Sequence, residues 1–260
     1  MYLNGVIDRT VDFLERLGRA GQFLGAGLWA IVTPPYKLHP VLRQIHFIGA
    51  RSLLVIVVAG TFVGMVVALQ FYDTLVRFGS VALLGAAVGL SLIRELGPVL
   101  TALVIIGRAG SALCAELGIM RNENQVDALE CMAIDPIRYL IAPRFLAALV
   151  SVPLLTAIFI TMGIAGGYFV GVILFKVSPG SFLGAMHDAV LGRDVIMGAA
   201  KSVVFGMLMI WIATTKGFYL HLDRIGAHGS EGVSRVTTDA VVLSSIAVLL
   251  ADYLVSAIIL

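Results

Sequence analysis

Residues 107–144 read GRAGSALCAELGIMRNENQVDALECMAIDPIRYLIAPR and separate two long apolar runs. This polar segment contains four arginines and five acidic residues, and it lacks the composition of a turn-rich loop. Leu113, Leu117 and Met120 recur at helical spacing, and Asp135-Pro136 is a helix stop signal. The pattern predicts an ordered amphipathic helix between two apolar runs, on which a partner can dock.

The apolar residues around this segment are concentrated in runs. Hydrophobic residues make up 59% of the 260 residues and charged residues only 13%, far from the composition of a soluble domain. Each run reaches the roughly 20 residues that a membrane-spanning helix needs. The runs are residues 52–72, 81–107, 145–175, 195–215 and 240–260. The sequence therefore predicts an all-α integral membrane protein with five transmembrane helices in one domain, residues 1–260.

Residues 1–35 predict a further, amphipathic helix that lies in the membrane interface. Acidic residues interrupt any apolar core, so this stretch is not a cleavable signal peptide. One helical face is apolar and the opposite face is charged, as in interfacial helices. The apolar face comprises Leu3, Val6, Thr10, Phe13, Leu14 and Leu17. Packing of this helix against a soluble partner is the alternative.

The distribution of basic residues predicts the orientation. Thirteen Lys and Arg residues fall on one side of the predicted spans and three on the other. Basic residues concentrate in cytoplasmic loops, so the N-terminus and residues 107–144 are expected in the cytoplasm and the C-terminus on the outer side of the membrane. The net charge of +2 gives no reason to expect a nucleic-acid partner.

No motif of a catalytic site is present. The sequence contains no G-x-x-x-x-G-K-[ST], G-x-S-x-G or H-E-x-x-H pattern. Cys114, Cys131 and the five scattered histidines show no metal-ligand spacing. We therefore expect no catalytic residue, metal or cofactor on this chain, so ATP hydrolysis would have to come from another polypeptide.

Four charged residues interrupt the apolar runs: Arg94, Glu95, Lys201 and Asp252. A charge at the bilayer centre costs at least ~2.5–3.5 kcal/mol, which disfavours an unpaired one. Lys201 and Asp252 lie at depths that agree within one helical turn. Arg94 and Glu95 point about 100° apart, so each needs its own neighbour. The four residues predict a buried charge cluster that fixes packing, lines a path for an anionic head group, gates it or relays protons.

Gly97-Pro98 directly follows Arg94 and Glu95. Proline removes a backbone hydrogen bond and favours a kink, so the freed carbonyl groups are expected near these charges.

A mixed stripe of residues recurs at helical spacing at the outer end of the first run. It comprises Val67, Gln70, Phe71, Thr74 and Phe78. The stripe predicts either the lining of a cavity for acyl chains, with Glu95 below it, or a packing seam. One chain with five spans has too little wall for a two-tailed lipid, so the cavity is expected on the axis of a two-fold homodimer.

The run RELGPVLTALVIIGRAGSALCAELGIM from Arg94, together with Gln125, Ala128-Leu129 and Asp135-Pro136, resembles the MlaE family of phospholipid-transport permeases. The resemblance extends over nearly the whole chain, including KSVVFG from Lys201 and the region of Asp252. Family members carry Glu before the glutamine matched by Gln125. This chain departs from that pattern, with Asn124 there and Glu123 one place earlier.

The resemblance implies the permease subunit of an ABC transporter in a bacterial inner membrane. The subunit would move glycerophospholipid between that membrane and a periplasmic MCE-domain partner, and so maintain outer-membrane lipid asymmetry. The implied partners are a second copy of the chain, an ATPase (MlaF-like) that carries ATP and Mg, a STAS-domain protein (MlaB-like) and an MCE-domain hexamer (MlaD-like). An ion-coupled secondary transporter and a membrane scaffold for an MCE ring are the alternatives.

Together, the amphipathic pattern and the resemblance assign residues 107–144 as the cytoplasmic coupling segment. Its helix is expected over residues 116–132, docked on the ATPase. The expected coupling residues are Glu116, Gly118, Met120 and Gln125.

Overall fold

The computed structural model describes residues 2–32, 38–220 and 229–259, and within these ranges the side chains of all but residues 2–13, 16, 32 and 259. Every element in these ranges is helical. Five helical stretches are long and apolar enough to cross a membrane, which confirms the five-span prediction. They are Leu38–Arg77, Val81–Asn122, Ile137–Leu174, Gly192–Phe218 and Gly229–Ile258.

The described ranges contain eleven α-helices. They are α1 Tyr2–Val32, α2 Leu38–Ile48, α3 Leu53–Arg77, α4 Leu84–Ser91, α5 Gly97–Ile105, α6 Ser111–Asn122, α7 Gln125–Cys131, α8 Ala142–Tyr168, α9 Pro179–Ala189, α10 Gly192–Phe218 and α11 Gly229–Ile259. A short 3₁₀ turn, Ala50–Ser52, joins α2 to α3. Two π-helical turns, Leu92–Leu96 and Ile106–Gly110, connect α4, α5 and α6 into one long helix.

Helix α8 forms the centre of the bundle and packs against α2, α3, α5 and α10. Its contact with α3 is close because glycines face each other. A Cβ added at Gly64 would overlap the carbonyl group of Gly163, and one at Gly166 would overlap that of Thr61. Small residues of this kind let two membrane helices bring their backbones together, which gains van der Waals contact that the hydrophobic effect cannot supply inside lipid.

The predicted coupling helix over residues 116–132 is wrong as a single element. Helix α6 continues the second span to Asn122, and the separate helix α7 begins at Gln125. Asn124 adopts a left-handed conformation with φ 56°, which asparagine tolerates better than most residues. An ion pair of 2.7 Å between Arg121 and Asp127 closes the turn. Helices α6 and α7 therefore meet at a tight turn, and we call the two helices the α6–α7 hairpin and the turn its tip.

Helix α1 is continuous over most of the stretch predicted as an interfacial helix. Its last third packs on the bundle, where buried Phe23 contacts the rings of Phe218 and Tyr219 at 5.4 and 5.7 Å. Leu14 and Leu17, from the predicted apolar face, are exposed. The side chains of Leu3, Val6, Thr10 and Phe13, and residues 33–35, where the predicted helix ends, lie outside the described residues. The interfacial placement of α1 stays a prediction.

Candidate functional site

Lys201 is the centre of a charged group inside the bundle. Its side chain is 0% exposed, and its Nζ lies 2.5 Å from Glu95 Oε2 and 2.9 Å from Asp252 Oδ1. Ser256 adds a hydroxyl group 3.3 Å from Glu95 Oε1. The agreement in depth between Lys201 and Asp252 is thereby confirmed. Three of the four residues predicted as a charge cluster are in direct contact.

The backbone of the second span supplies Lys201 with a third acceptor. Lys201 Nζ donates to the carbonyl oxygen of Arg94 at 2.9 Å. In a regular helix this carbonyl accepts from the N–H of residue 98, and Pro98 has none. The prediction that a freed carbonyl group lies near the charges is confirmed. The expected disturbance of the helix takes the form of the π-helical turn Leu92–Leu96.

The close approach of α10 to this turn depends on Gly198, one helical turn before Lys201. A Cβ on Gly198 would lie 2.5 Å from the carbonyl oxygen of Ile93, closer than real Cβ atoms come to a neighbour. With glycine at this position, α10 packs directly on the π-helical turn. Lys201 then reaches both the Arg94 carbonyl and the Glu95 carboxylate.

The side chain of Arg94 does not join the group around Lys201. It pairs with Asp194, with Nε and Nη2 2.9 and 2.8 Å from Oδ1. Asp194 Oδ2 also accepts from the backbone N–H of Leu191, which fixes the start of α10. Sequence reasoning missed Asp194 because it lies just outside the fourth apolar run. An acid in the first turn of a predicted helix was the available signal.

The prediction that Arg94 and Glu95 need separate partners is confirmed, but the formal charge differs from the one expected. The four predicted residues sum to zero. When Asp194 is included, the charged residues of this region are two cations and three carboxylates, with a formal charge of −1. Glu95 is the carboxylate with the greatest access, since its side chain is 43% exposed against 21% for Asp252 and 6% for Asp194.

Glu95 also faces a cavity of about 280 Å³. Besides Glu95 its lining residues come from α3 and the second span: Val67, Gln70, Phe71, Ser91 and Leu96. Val67, Gln70 and Glu95 belong to the predicted lipid-pocket set, and the structure brings them together. Thr74 and Phe78 do not line this cavity. Both residues are exposed and follow the cavity-lining part of α3 in the sequence. Thr74 Oγ1 donates to the Gln70 carbonyl within the same helix.

Two of the four predicted coupling residues have internal contacts. Gly118 is buried, and a Cβ there would contact Leu220 and Val233 at 3.5 Å. Gly118 therefore offers no exposed docking surface, and its role in coupling stays a prediction. Glu116 Oε1 lies 3.1 Å from Nη2 of Arg144, whose side chain is only 3% exposed. Glu116 thus compensates a buried charge at the base of α8.

The other two coupling residues lie toward the tip of the hairpin. Met120 is half-buried, whereas Gln125 is exposed and donates to Glu123 Oε2 at 2.6 Å. Large apolar side chains that sequence reasoning missed are also exposed on the hairpin and after it: Ile119, Met132 and Ile134. Their exposure shows only in the tertiary structure, since equally apolar Leu113 and Leu117 are buried.

One known protein family matches the part of the chain that contains the residues described above. The family described as Permease MlaE matches residues 41–258. The chain belongs to the MlaE family. The match includes the charged residues, the cavity and the hairpin, and it leaves out α1, which ends at Val32.

Relatives of this MlaE-family chain come from organisms that differ widely from one another. It is 44% identical to the intermembrane phospholipid transport system permease protein MlaE of Haemophilus influenzae, over 99% of this chain and 97% of that protein. It is 37% identical to a probable ABC transporter permease of Synechocystis, over 94% and 90%. It is 35% identical to the chloroplastic protein trigalactosyldiacylglycerol 1 of Arabidopsis thaliana, over 85% and 62%.

Proposed function

We propose that this chain is the permease subunit of an ATP-driven phospholipid transporter in a bacterial inner membrane. The observation that carries the proposal is the cavity beside Glu95, in which apolar walls meet a carboxylate held by buried Lys201. Ligand pockets generally combine an apolar lining with a few placed polar groups. Val67, Phe71 and Leu96 would contact acyl chains, while Gln70, Ser91 and Glu95 would orient the polar part of the lipid.

The size of the cavity supports a two-fold homodimer. At about 280 Å³ it lies at or below the lower end of the roughly 300–1,000 Å³ of ordinary ligand pockets, and a two-tailed phospholipid needs more room. Two copies that face each other through the side of α3 that carries Val67 and Gln70 would combine their cavities. Exposed Thr74 and Phe78 would then line the mouth of the shared cavity, as the sequence stripe predicts.

The energy for transport would come from a separate ATPase subunit that binds ATP and Mg. We assign its docking site to the exposed part of the α6–α7 hairpin and the residues directly after it, with Gln125, Met132 and Ile134 in contact. Half-buried Met120 belongs to the same proposed site. The Glu116–Arg144 pair connects α6 to the start of α8. Displacement of the tip would therefore be passed to α8, the centre of the bundle.

The remaining partners and the orientation follow from the family resemblance and from the basic residues. The hairpin and the N-terminus would face the cytoplasm, with a STAS-domain protein on the ATPase. The opposite surface would meet a periplasmic MCE-domain hexamer that exchanges glycerophospholipid with the cavity. Transport of this kind would maintain the lipid asymmetry of the outer membrane.

Photo-crosslinking in the assembled, reconstituted transporter tests this function. A photoreactive residue at Gln70 is expected to capture phospholipid, and addition of ATP should change the yield. The matched control is Leu154 in α8, whose side chain is 58% exposed and does not line the cavity, so we expect it to meet bulk lipid. Equal, ATP-independent labelling at both positions would overturn the proposal. ATP-independent transport driven by an ion gradient would support a secondary transporter, and absence of any transport a scaffold.

A further inference from the structure

Two arginines share one aromatic ring at the end of the bundle away from the cavity. The guanidinium carbon of Arg51 lies 5.6 Å from the ring centroid of Phe47, and that of Arg108 lies 5.7 Å from the same centroid. Arg51 lies in the 3₁₀ turn before α3, whereas Arg108 lies in the π-helical turn between α5 and α6. The fold thus brings two like charges to one place from different spans.

Among the described residues, no acidic side chain compensates the charge of either guanidinium group. Arg108 uses Nη1 alone, which donates to the Phe47 carbonyl at 3.0 Å and to Ser52 Oγ at 2.6 Å. These bonds fix its orientation and leave Nε and Nη2 without a partner among the described residues. Within the same ranges neither guanidinium lies within 4.0 Å of a carboxylate. Arg94 and Arg144, by contrast, each have an acidic partner.

The position of the pair matches the surface of a membrane. Arg108 follows the start of α4 by ~24 residues, which is ~36 Å of helix and slightly more than the ~30 Å of a hydrocarbon core. It is also ~20 Å along the same helix from Glu95. Directly after Arg51, α3 exposes the apolar side chains of Leu54, Val55 and Val58. A charged group at this surface is thus continuous with an apolar face in the membrane.

We propose that Arg51 and Arg108 form a binding site for the phosphate group of a membrane phospholipid, in the leaflet opposite the mouth of the cavity. Guanidinium groups match the oxygen geometry of phosphate and can donate two parallel hydrogen bonds. The phosphate would lie between the two arginines and neutralise both charges, and the acyl chains would lie along the exposed face of α3. This site is separate from the cavity and does not depend on the proposed transport.

Native mass spectrometry of the full-length, delipidated protein in detergent tests this site. The probes are a phosphatidylglycerol, a diacylglycerol with the same acyl chains, and inorganic phosphate. Wild-type protein is expected to bind phosphatidylglycerol about tenfold more tightly than Arg51→Gln, as the loss of one charge-assisted contact implies. Arg51→Lys keeps the charge, and its affinity for phosphatidylglycerol is expected to lie between those of wild type and Arg51→Gln. Diacylglycerol should bind equally to all three proteins.

The matched control is Arg138→Gln, which removes the same charge from the hairpin end of the molecule at a residue paired with Asp135. Its phosphatidylglycerol affinity should equal that of wild type, and the circular dichroism of every variant should be unchanged. Equal phosphatidylglycerol binding by wild type and Arg51→Gln would overturn the proposal. Arg51-dependent binding of inorganic phosphate as tight as that of the lipid would replace it with a soluble-anion site. Because the readout is binding, a failure here leaves the proposed transport untouched.

Discussion

Lys201 Nζ donates to the main-chain carbonyl oxygen of Arg94 at 2.9 Å, the acceptor for which Pro98 has no N–H to offer. A proline that weakens the second span thereby supplies a buried ammonium group with an acceptor that a regular helix would have used. Glu95 and Asp252 lie close to the same Nζ. The π-helical turn and the charged group are therefore one structural unit.

Removal of Lys201 alone is expected to damage the protein more than removal of the whole charged group. Lys201→Met leaves Glu95 and Asp252 as two carboxylates without their cation, at a cost on the order of 3–5 kcal/mol in the free energy of unfolding. The triple change Lys201→Met, Glu95→Gln, Asp252→Asn should recover most of it. Thermal unfolding in detergent measures both, with Arg77→Met in the exposed Arg77–Asp73 pair as the control. A triple variant no more stable than Lys201→Met would contradict the pairing.

Two glycine-to-alanine changes should have different effects on thermal stability. Gly64→Ala places a methyl group against the carbonyl of Gly163 and should separate α3 from α8, with a clear loss of thermal stability. Gly25 in α1 has open space around its Cβ position, so Gly25→Ala should be neutral or stabilising by up to ~1 kcal/mol. A Gly64→Ala variant as stable as wild type would mean that the two helices are not in close contact at Gly64.

Gly118→Asp and Met132→Asp should distinguish an effect on the stability of the permease from an effect on binding of the ATPase subunit. Gly118 is buried against Leu220 and Val233, so a carboxylate there should lower the thermal stability of the permease alone. Met132 is 61% exposed, so Met132→Asp should leave that stability unchanged and weaken co-purification of the ATPase subunit. Unaltered ATPase binding by Met132→Asp would place the docking surface elsewhere.

The Glu116–Arg144 pair should show strong coupling in a double-mutant cycle. Glu116→Gln leaves Arg144 buried without its carboxylate, at a cost of about 1–3 kcal/mol, moderated because the Glu116 side chain is 48% exposed. With Arg144→Met already in place, Glu116→Gln should cost little. Thermal unfolding of the four proteins gives the coupling energy. Additive effects would show that the pair contributes nothing to stability.

The sequence determined the features that depend on the order of residue types along the chain. Runs such as residues 145–175 fix the number of spans because about 20 apolar residues are needed to cross hydrocarbon, whatever the spans pack against. Pro98 fixed the site of the disturbed helix, since proline lacks an N–H in every context. The shared depth of Lys201 and Asp252 followed from residue counts alone.

Tertiary structure alone decided which side chains meet. Asp194 pairs with Arg94 across 100 residues, and Gly198 allows the approach that brings Lys201 to the second span. Gly118 is buried while Met132 is exposed, although both lie in one polar segment. Such differences depend on the rotation and distance of neighbouring helices. Those are set by the packing of many weak contacts at once, and residue spacing along one chain does not specify them.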